Sequence, residues 1–189
     1  MIDKALKFSK DILDQFLKNE MGLEESKVLI NNIIDGDGTI PQINQNKVVI
    51  SLINLEKETL RPFYTRNNKL PDGNYSLSAP VERYNLDVLI TSNFDDYNET
   101  LKFLNASILF FQTNPCISAS SNSNIPDGLG KLEFELENVS YHQMHSLWSA
   151  MGAKYQPSVI YKTRLVTLDA NEIDAFDPSI SQNSNSASA

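Results

Sequence analysis

The chain has 189 residues, 24 acidic against 16 basic, for a formal charge of −8, and at 41% hydrophobic and 21% charged it has the composition of an ordinary folded domain able to bury a core. That acidity argues against a nucleic-acid partner, since phosphates select basic surfaces, and no apolar run approaches the roughly 18–20 residues that span a bilayer. The single cysteine, Cys116, excludes an intrachain disulfide framework and the usual cysteine-based zinc sites.

From the start of the chain, Ile2, Ala5, Leu6, Ile12, Leu13, Phe16 and Leu17 recur at about i, i+3, i+4 with Lys and Asp between them, which predicts a helix ended by Met21-Gly22. The same stretch lacks an uninterrupted apolar core and a small-residue cleavage site. It does not read as a signal peptide, and synthesis in the cytoplasm is expected. Val28 to Ile34 reads as a short strand closed by the turn Asp35-Gly36-Asp37-Gly38. That turn lacks the Lys-Ser/Thr pair of a phosphate-binding loop.

Val48 to Leu55, VVISLINL, is apolar on both faces, as a strand covered on two sides would be. Glu82 to Ile90 alternates, with Tyr84, Leu86, Val88 and Ile90 on one face. The two strands are expected to pair as a hairpin, joined by an arm over residues 58–80 that is longer than ordinary connections. Asp95-Asp96 then opens a second helix, with acid where a helix N-terminus favours it. Its expected core stripe is Tyr97, Leu101, Leu104, Ile108 and Phe111, leaving Phe103 and Phe110 on a second apolar face.

Residues 114–130, rich in Ser, Asn, Pro and Gly, read as a long surface loop. Leu132, Phe134 and Leu136 alternate with charged residues and predict a half-buried strand. Ser140 to Gln143 matches a capping box, placing Tyr141, Met144, Leu147, Trp148 and Met151 on the inner face of a third helix that Gly152 ends. The last strand runs from about Pro157 to Leu168. Its Lys162 and Arg164 are expected across the sheet from Glu133 and Glu135. Residues 171–189 read as a mobile polar tail behind a domain over 1–170. The order α-β-β-β-α-β-α-β, without internal repeat, predicts an α+β fold with a mixed sheet and helices packed on it.

The sequence carries no recognisable catalytic constellation, and neither a cofactor nor a metal is expected. His142 and His145 sit i, i+3 on the third helix, but no further ligand cluster completes a metal site. Cys116 follows Pro115 in a loop without a conventional base other than those histidines. No serine stands in a Gly-x-Ser-x-Gly elbow. Asp35, Asp37, Asp95 and Asp96 occupy turn or cap positions and do not reproduce a calcium-loop spacing. The arm is different: Arg61, Phe63, Tyr64 and Arg66 are residue types favoured in protein–protein contacts. Together with Phe103 and Phe110 they are the candidate partner-binding residues.

Four stretches resemble one known family: MIDKALKFSKDILDQFL, VVISLINLEKETLRP, YNLDVLITSNFDDYNETLKFLNASILFFQ and LWSAMGAKYQPSVIYKTRLVTLD. The last is the most specific, with Trp148, Gly152, Ala153, Lys154, Tyr155, Pro157, Ser158 and Tyr161 in the expected order. The family is that of the cap or tail-terminator proteins of extracellular contractile injection systems, of the Photorhabdus virulence cassette and antifeeding-prophage type. Some relatives carry a further domain after this one. The resemblance implies a non-enzymatic structural subunit that forms a ring of six copies at the baseplate-distal end of a phage-tail-like particle. Its implied partners are itself, the inner tube protein and the sheath protein. The alternatives are an assembly adaptor or chaperone of such a particle and, behind that, a small enzyme or cargo.

Overall fold

A computed structural model describes residues 1–58, 67–69, 75–78, 82–168 and 173–177 of the chain. Helix α1 (Ile2–Met21) buries Ala5, Leu6, Phe8, Leu13 and Leu17. It stops at Gly22, whose φ of 64° is the left-handed conformation that closes a helix and that glycine adopts without strain. A buried acid, Asp14, sits on its inner face. The Asp14 Oδ1 accepts hydrogen bonds from the Ser26 hydroxyl and from the Lys27 and Val28 amides, and so fixes where strand β1 (Val28–Ile30) begins.

A 3-10 turn at Gln42–Asn44 returns the chain to β2 (Lys47–Lys57), parallel to β1. The turn is pinned by Asn44, whose Nδ2 donates to the Asn32 carbonyl at 2.8 Å while its Oδ1 accepts from Asn31. Two short strands, β3 (Asn67–Lys69) and β4 (Tyr75–Ser78), precede β5 (Glu82–Asn93). Helix α2 (Tyr97–Thr113), β6 (Cys116–Ser118), β7 (Lys131–Leu136), α3 (Tyr141–Ala150), β8 (Ser158–Leu168) and β9 (Ile173–Asp177) complete the order. The main sheet runs β1-β2-β5-β8-β7-β6, antiparallel except for the first pair, and β3-β4-β9 form a smaller one. The α+β expectation with a mixed sheet holds, as does the β2–β5 pairing.

Strand alternation gives the main sheet two unlike faces. Val48, Ile50, Leu86, Val88, Ile90, Leu132, Phe134 and Tyr161 face α1 and α2 in the larger core. Val49, Leu89 and Ile160 face the other way and meet Trp148 of α3. Thus VVI at Val48–Ile50 is buried on both sides because helices cover both sides at that level.

Four expectations are corrected. On α2 the covered positions are Thr100, Phe103, Ala106, Ser107, Phe110 and Phe111, whereas Tyr97, Leu101 and Leu109 face outward. Phe103 and Phe110, expected to turn toward a partner, are 3% and 5% exposed and pack inside the domain. Phe103 stacks on Phe94 and Phe110 lies against Phe16. The reading failed because three core positions are small or polar. Ser107, fully covered, satisfies its hydroxyl on the Phe103 carbonyl and leaves no apolar signal.

The stretch 114–130 is not a free surface loop. It contains β6, and Ile125 and Leu129 reach into the core, single apolar side chains that carry no periodicity. On α3 Trp148 is buried and Met144, Leu147 and Met151 pack beside it as expected, but Tyr141, expected inside, is 98% exposed. Finally, β9 lies within the stretch read as a tail and pairs antiparallel with β4.

Candidate interaction surfaces

One flank of α2 carries Tyr97, Leu101 and the half-buried Leu104 and Ile108 at spacings of 4, 3 and 4 residues. That is the helical repeat of a packing seam, and Tyr97 and Leu101 on it are exposed. The helix is securely seated: the Asp96 side chain caps it by accepting the Asn98 amide at 2.9 Å. The only charged pair along it is Glu99 with Lys102, Nζ to Oε1 2.8 Å, among residues Tyr97–Thr113. The seam is thus apolar along the helix, with the exposed acids Asp95 and Asp96 directly before its first residue.

On the opposite face of the sheet, α3 is seated by Trp148, with Met144, Leu147 and Met151 packed beside it. The capping box forms as expected: Ser140 Oγ accepts the Gln143 amide, and Gln143 Oε1 accepts the Ser140 amide at 2.8 Å. Trp148 sinks between Val49, Leu89 and Ile160, and its indole N–H points at the Met144 sulfur, 3.2 Å away. Beside it opens a groove of about 610 Å³, lined among the described residues by Val139, Tyr141, Met144, His145, Trp148, Ser149, Ala153 and Tyr155. Tyr155 meets Trp148 edge-on at 5.6 Å. The lining holds no Asp, Glu, Lys or Arg. The sequence signal for this groove was the density of aromatic and Met residues on a helix of ten residues, too short to bury them all.

Below α3 the same sheet face turns polar. Glu133 lies opposite Arg164 and Glu135 opposite Lys162, the pairing expected from the sequence. The ion pairs run diagonally: Arg164 bonds Glu135, and Lys162 reaches Glu56 at 3.0 Å and Glu137 at 3.3 Å, with Asp87 at 3.9 Å. Donation to Glu56, opposed by burial and helped by Asp87 and Glu137, holds the Lys162 pKa above the usual lysine value. Side chains of opposite charge facing water on a sheet are a solvated face with cross-strand support.

No catalytic arrangement assembles around the titratable residues weighed from the sequence. His145 lines the groove without a carboxylate beside it, and Cys116 is an exposed thiol on β6. Asp37 accepts the Thr39 amide and hydroxyl in its turn. Asp95 accepts from Gln45 and Asn46, which lower its pKa. Among the described residues no group of three or more His, Cys, Asp or Glu could hold a metal ion, and no helix is long and apolar enough to cross a membrane. Arg61, Phe63, Tyr64 and Arg66 lie outside the described residues.

A two-helix layer thus covers one face of the mixed sheet, and a single short helix with a groove beside it lies on the other. Residues 10–182 match the Pvc16 N-terminal domain. The chain belongs to that family. Among solved structures it is similar to the sheath/tube terminator of the extracellular contractile injection system PVC in its extended state, at 15% identity and a TM-score of 0.57. That match covers 99% of this chain and 65% of the other. It is also similar to the anti-feeding prophage cap, a tube-terminating cap, at 14% identity and a TM-score of 0.60, over 96% of this chain and 60% of the other. At such identities the likeness is one of fold. No curated protein matches the chain. The chain thus spans under two thirds of the length of either solved relative, and it is the family domain itself that carries both apolar surfaces.

Proposed function

We propose that the protein is a structural subunit that caps the baseplate-distal end of a contractile, phage-tail-like injection particle, ending its inner tube and sheath. The observation that supports this reading is membership of the Pvc16 N-terminal domain family over residues 10–182, joined to a fold shared with a sheath/tube terminator and a tube-terminating cap. On this reading the chain performs no catalytic step. It is made in the cytoplasm, binds tube and sheath subunits, and closes into a ring of six copies. Arg61, Phe63, Tyr64 and Arg66 of the arm contact a neighbour in that ring. The exposed Tyr97 and Leu101 of α2 and the groove beside α3 are the apolar surfaces open to such contacts among the described residues.

The test is to delete the gene from a particle-producing strain and restore it with an affinity tag. Tagged protein should co-purify with particles at fixed stoichiometry, and density for it should appear at the end far from the baseplate. Particles lacking it should show tubes and sheaths of unregulated length. Absence from purified particles, with assembly still dependent on the gene, would replace the cap by an assembly chaperone.

A further inference from the structure

We infer that residues 138–156, with α3 at their centre, form a flap that opens as one body and uncovers the apolar sheet face beneath it. The inference goes beyond the capping reading and does not depend on it. Among the described residues, every hydrogen bond made by this segment closes on the segment itself. The Met144, Met151, Gly152 and Ala153 amides donate to carbonyls of Ser140, Leu147, Ser149 and Trp148, the capping box is internal, and the Trp148 indole meets Met144. The chain is pinned just outside it on both sides. The Glu137 amide donates to the Ile160 carbonyl at 2.9 Å, and the Pro157 carbonyl accepts the Ser92 amide at 3.1 Å. These pins meet one strand end at Ile160 and Pro157, three residues or about 10 Å apart, so the flap has neighbouring feet.

What holds the flap down is apolar contact, Trp148 and its Met and Leu neighbours on Val49, Leu89 and Ile160. Such contact is non-directional, so lifting the flap breaks no hydrogen bond to the sheet and strands no buried polar group. Helix α1 on the other face is held differently, tied by Asp14 to Ser26, Lys27 and Val28. Nor is α3 walled in sideways. The groove of about 610 Å³ runs along its Trp148 and Ser149 flank, and a second of about 340 Å³ separates Leu147 and Met151 from Ile34 and Ile53. Gly152, at φ of +69° with no heavy atom within 4 Å of where a Cβ would stand, gives one foot a hinge free of packing. The sheet face under α3 therefore has a covered and an open state, and passes between them without unfolding the larger core.

The experiment uses the full chain in a Cys116→Ser background, so that no native thiol competes. Val48→Cys and Val49→Cys are made separately. The two valines are neighbours on β2, 0% and 1% exposed, but Val48 faces the α1 and α2 layer and Val49 faces the flap. With dithionitrobenzoate, Val49→Cys should react about a hundredfold or more faster than Val48→Cys, at a rate that low urea leaves unchanged. Equal rates, or rates that climb together with urea, would mean that only global unfolding reaches either thiol and would overturn the proposal. Hydrogen exchange on the unsubstituted chain is the second measurement. The α3 amides should exchange together, independently of low urea and with protection about a hundredfold or more below that of Leu86–Ile90 in β5. Amides of α3 that exchange only when those of β5 do would overturn the flap whatever the cysteine variants show.

Discussion

The Val28 amide donates to the Asp14 carboxylate at 3.1 Å, so the first residue of the edge strand is held by the first helix rather than by the sheet alone. The same oxygen, Oδ1, accepts the Ser26 hydroxyl and the Lys27 amide, while Oδ2 pairs with Lys18. Asp14→Ala leaves two amide donors without an acceptor and should cost about 2–4 kcal/mol in a urea melt. Asp14→Asn keeps an equivalent oxygen for three donors and should cost less. Burial by itself would raise the Asp14 pKa, but hydrogen bonds from Ser26, Lys18, Val28 and Lys27 outweigh it and bring the carboxyl below its ordinary range. The sign follows: this stabilisation is complete above the ordinary aspartate pKa and is lost as pH falls through the lowered value. The gap between wild type and Asp14→Asn should shrink on going from neutral pH to about pH 3.

Trp148 is the only tryptophan and the only buried residue of α3, so its fluorescence reports the docking of that helix. Trp148→Ala should cost about 3–5 kcal/mol and free α3 from the sheet. Hydrogen exchange would then show α3 amides unprotected while those of β5 remain slow. Tyr155→Ala removes the edge-on ring at 5.6 Å and should raise quenching of Trp148 by acrylamide without unfolding the chain. Unchanged exchange in α3 after Trp148→Ala would refute Trp148 as the main anchor of the helix.

Gly128 has φ of +88°, and a Cβ there would approach the Met1 Cε at 2.7 Å. The methionine terminus is flexible and can move aside, so the backbone conformation sets the cost. Gly128→Ala should lower stability by about 1–2 kcal/mol, and Gly128→Asn by less, since Asn tolerates positive φ better. Thermal melts of the two variants would check the order.

Lys162 stands among Glu56, Asp87 and Glu137 with its side chain 17% exposed. Lys162→Met should cost about 1–2 kcal/mol near neutral pH, by leaving three carboxylates unbalanced. Because its pKa is raised, the contribution is present below the ordinary lysine value and disappears as pH climbs through the raised one. High salt should narrow the difference from wild type. Denaturant midpoints at low and high ionic strength would measure it.

Periodicity and caps were legible where one residue decides the outcome. Gly22, Asp96 and the Ser140/Gln143 box each announce a helix end by local chemistry, and each is found in that role. The cross-strand facing of Glu133 with Arg164 was legible because alternation leaves only two faces to choose between. What misled was reading a helix face from large apolar residues alone. On α2 the core side includes Thr100, Ala106 and Ser107, and the larger Tyr97 and Leu101 lie outside. Equally hidden was the burial of Ile125 and Leu129, which depends on partners distant in sequence, such as Leu6 and Phe111 in the same core. The groove beside α3 needed the fold, since it arises from how little of the sheet a ten-residue helix can cover.

The outermost strands of the main sheet, Val28–Ile30 and Cys116–Ser118, are three residues each. An incoming strand would find only a couple of backbone groups to bond at either margin, a short and poor template for templated growth. Edge-to-edge growth into fibres is thereby discouraged, although the inner strands run to eleven and twelve residues. These blunt margins make the main sheet a poor seed for strand addition.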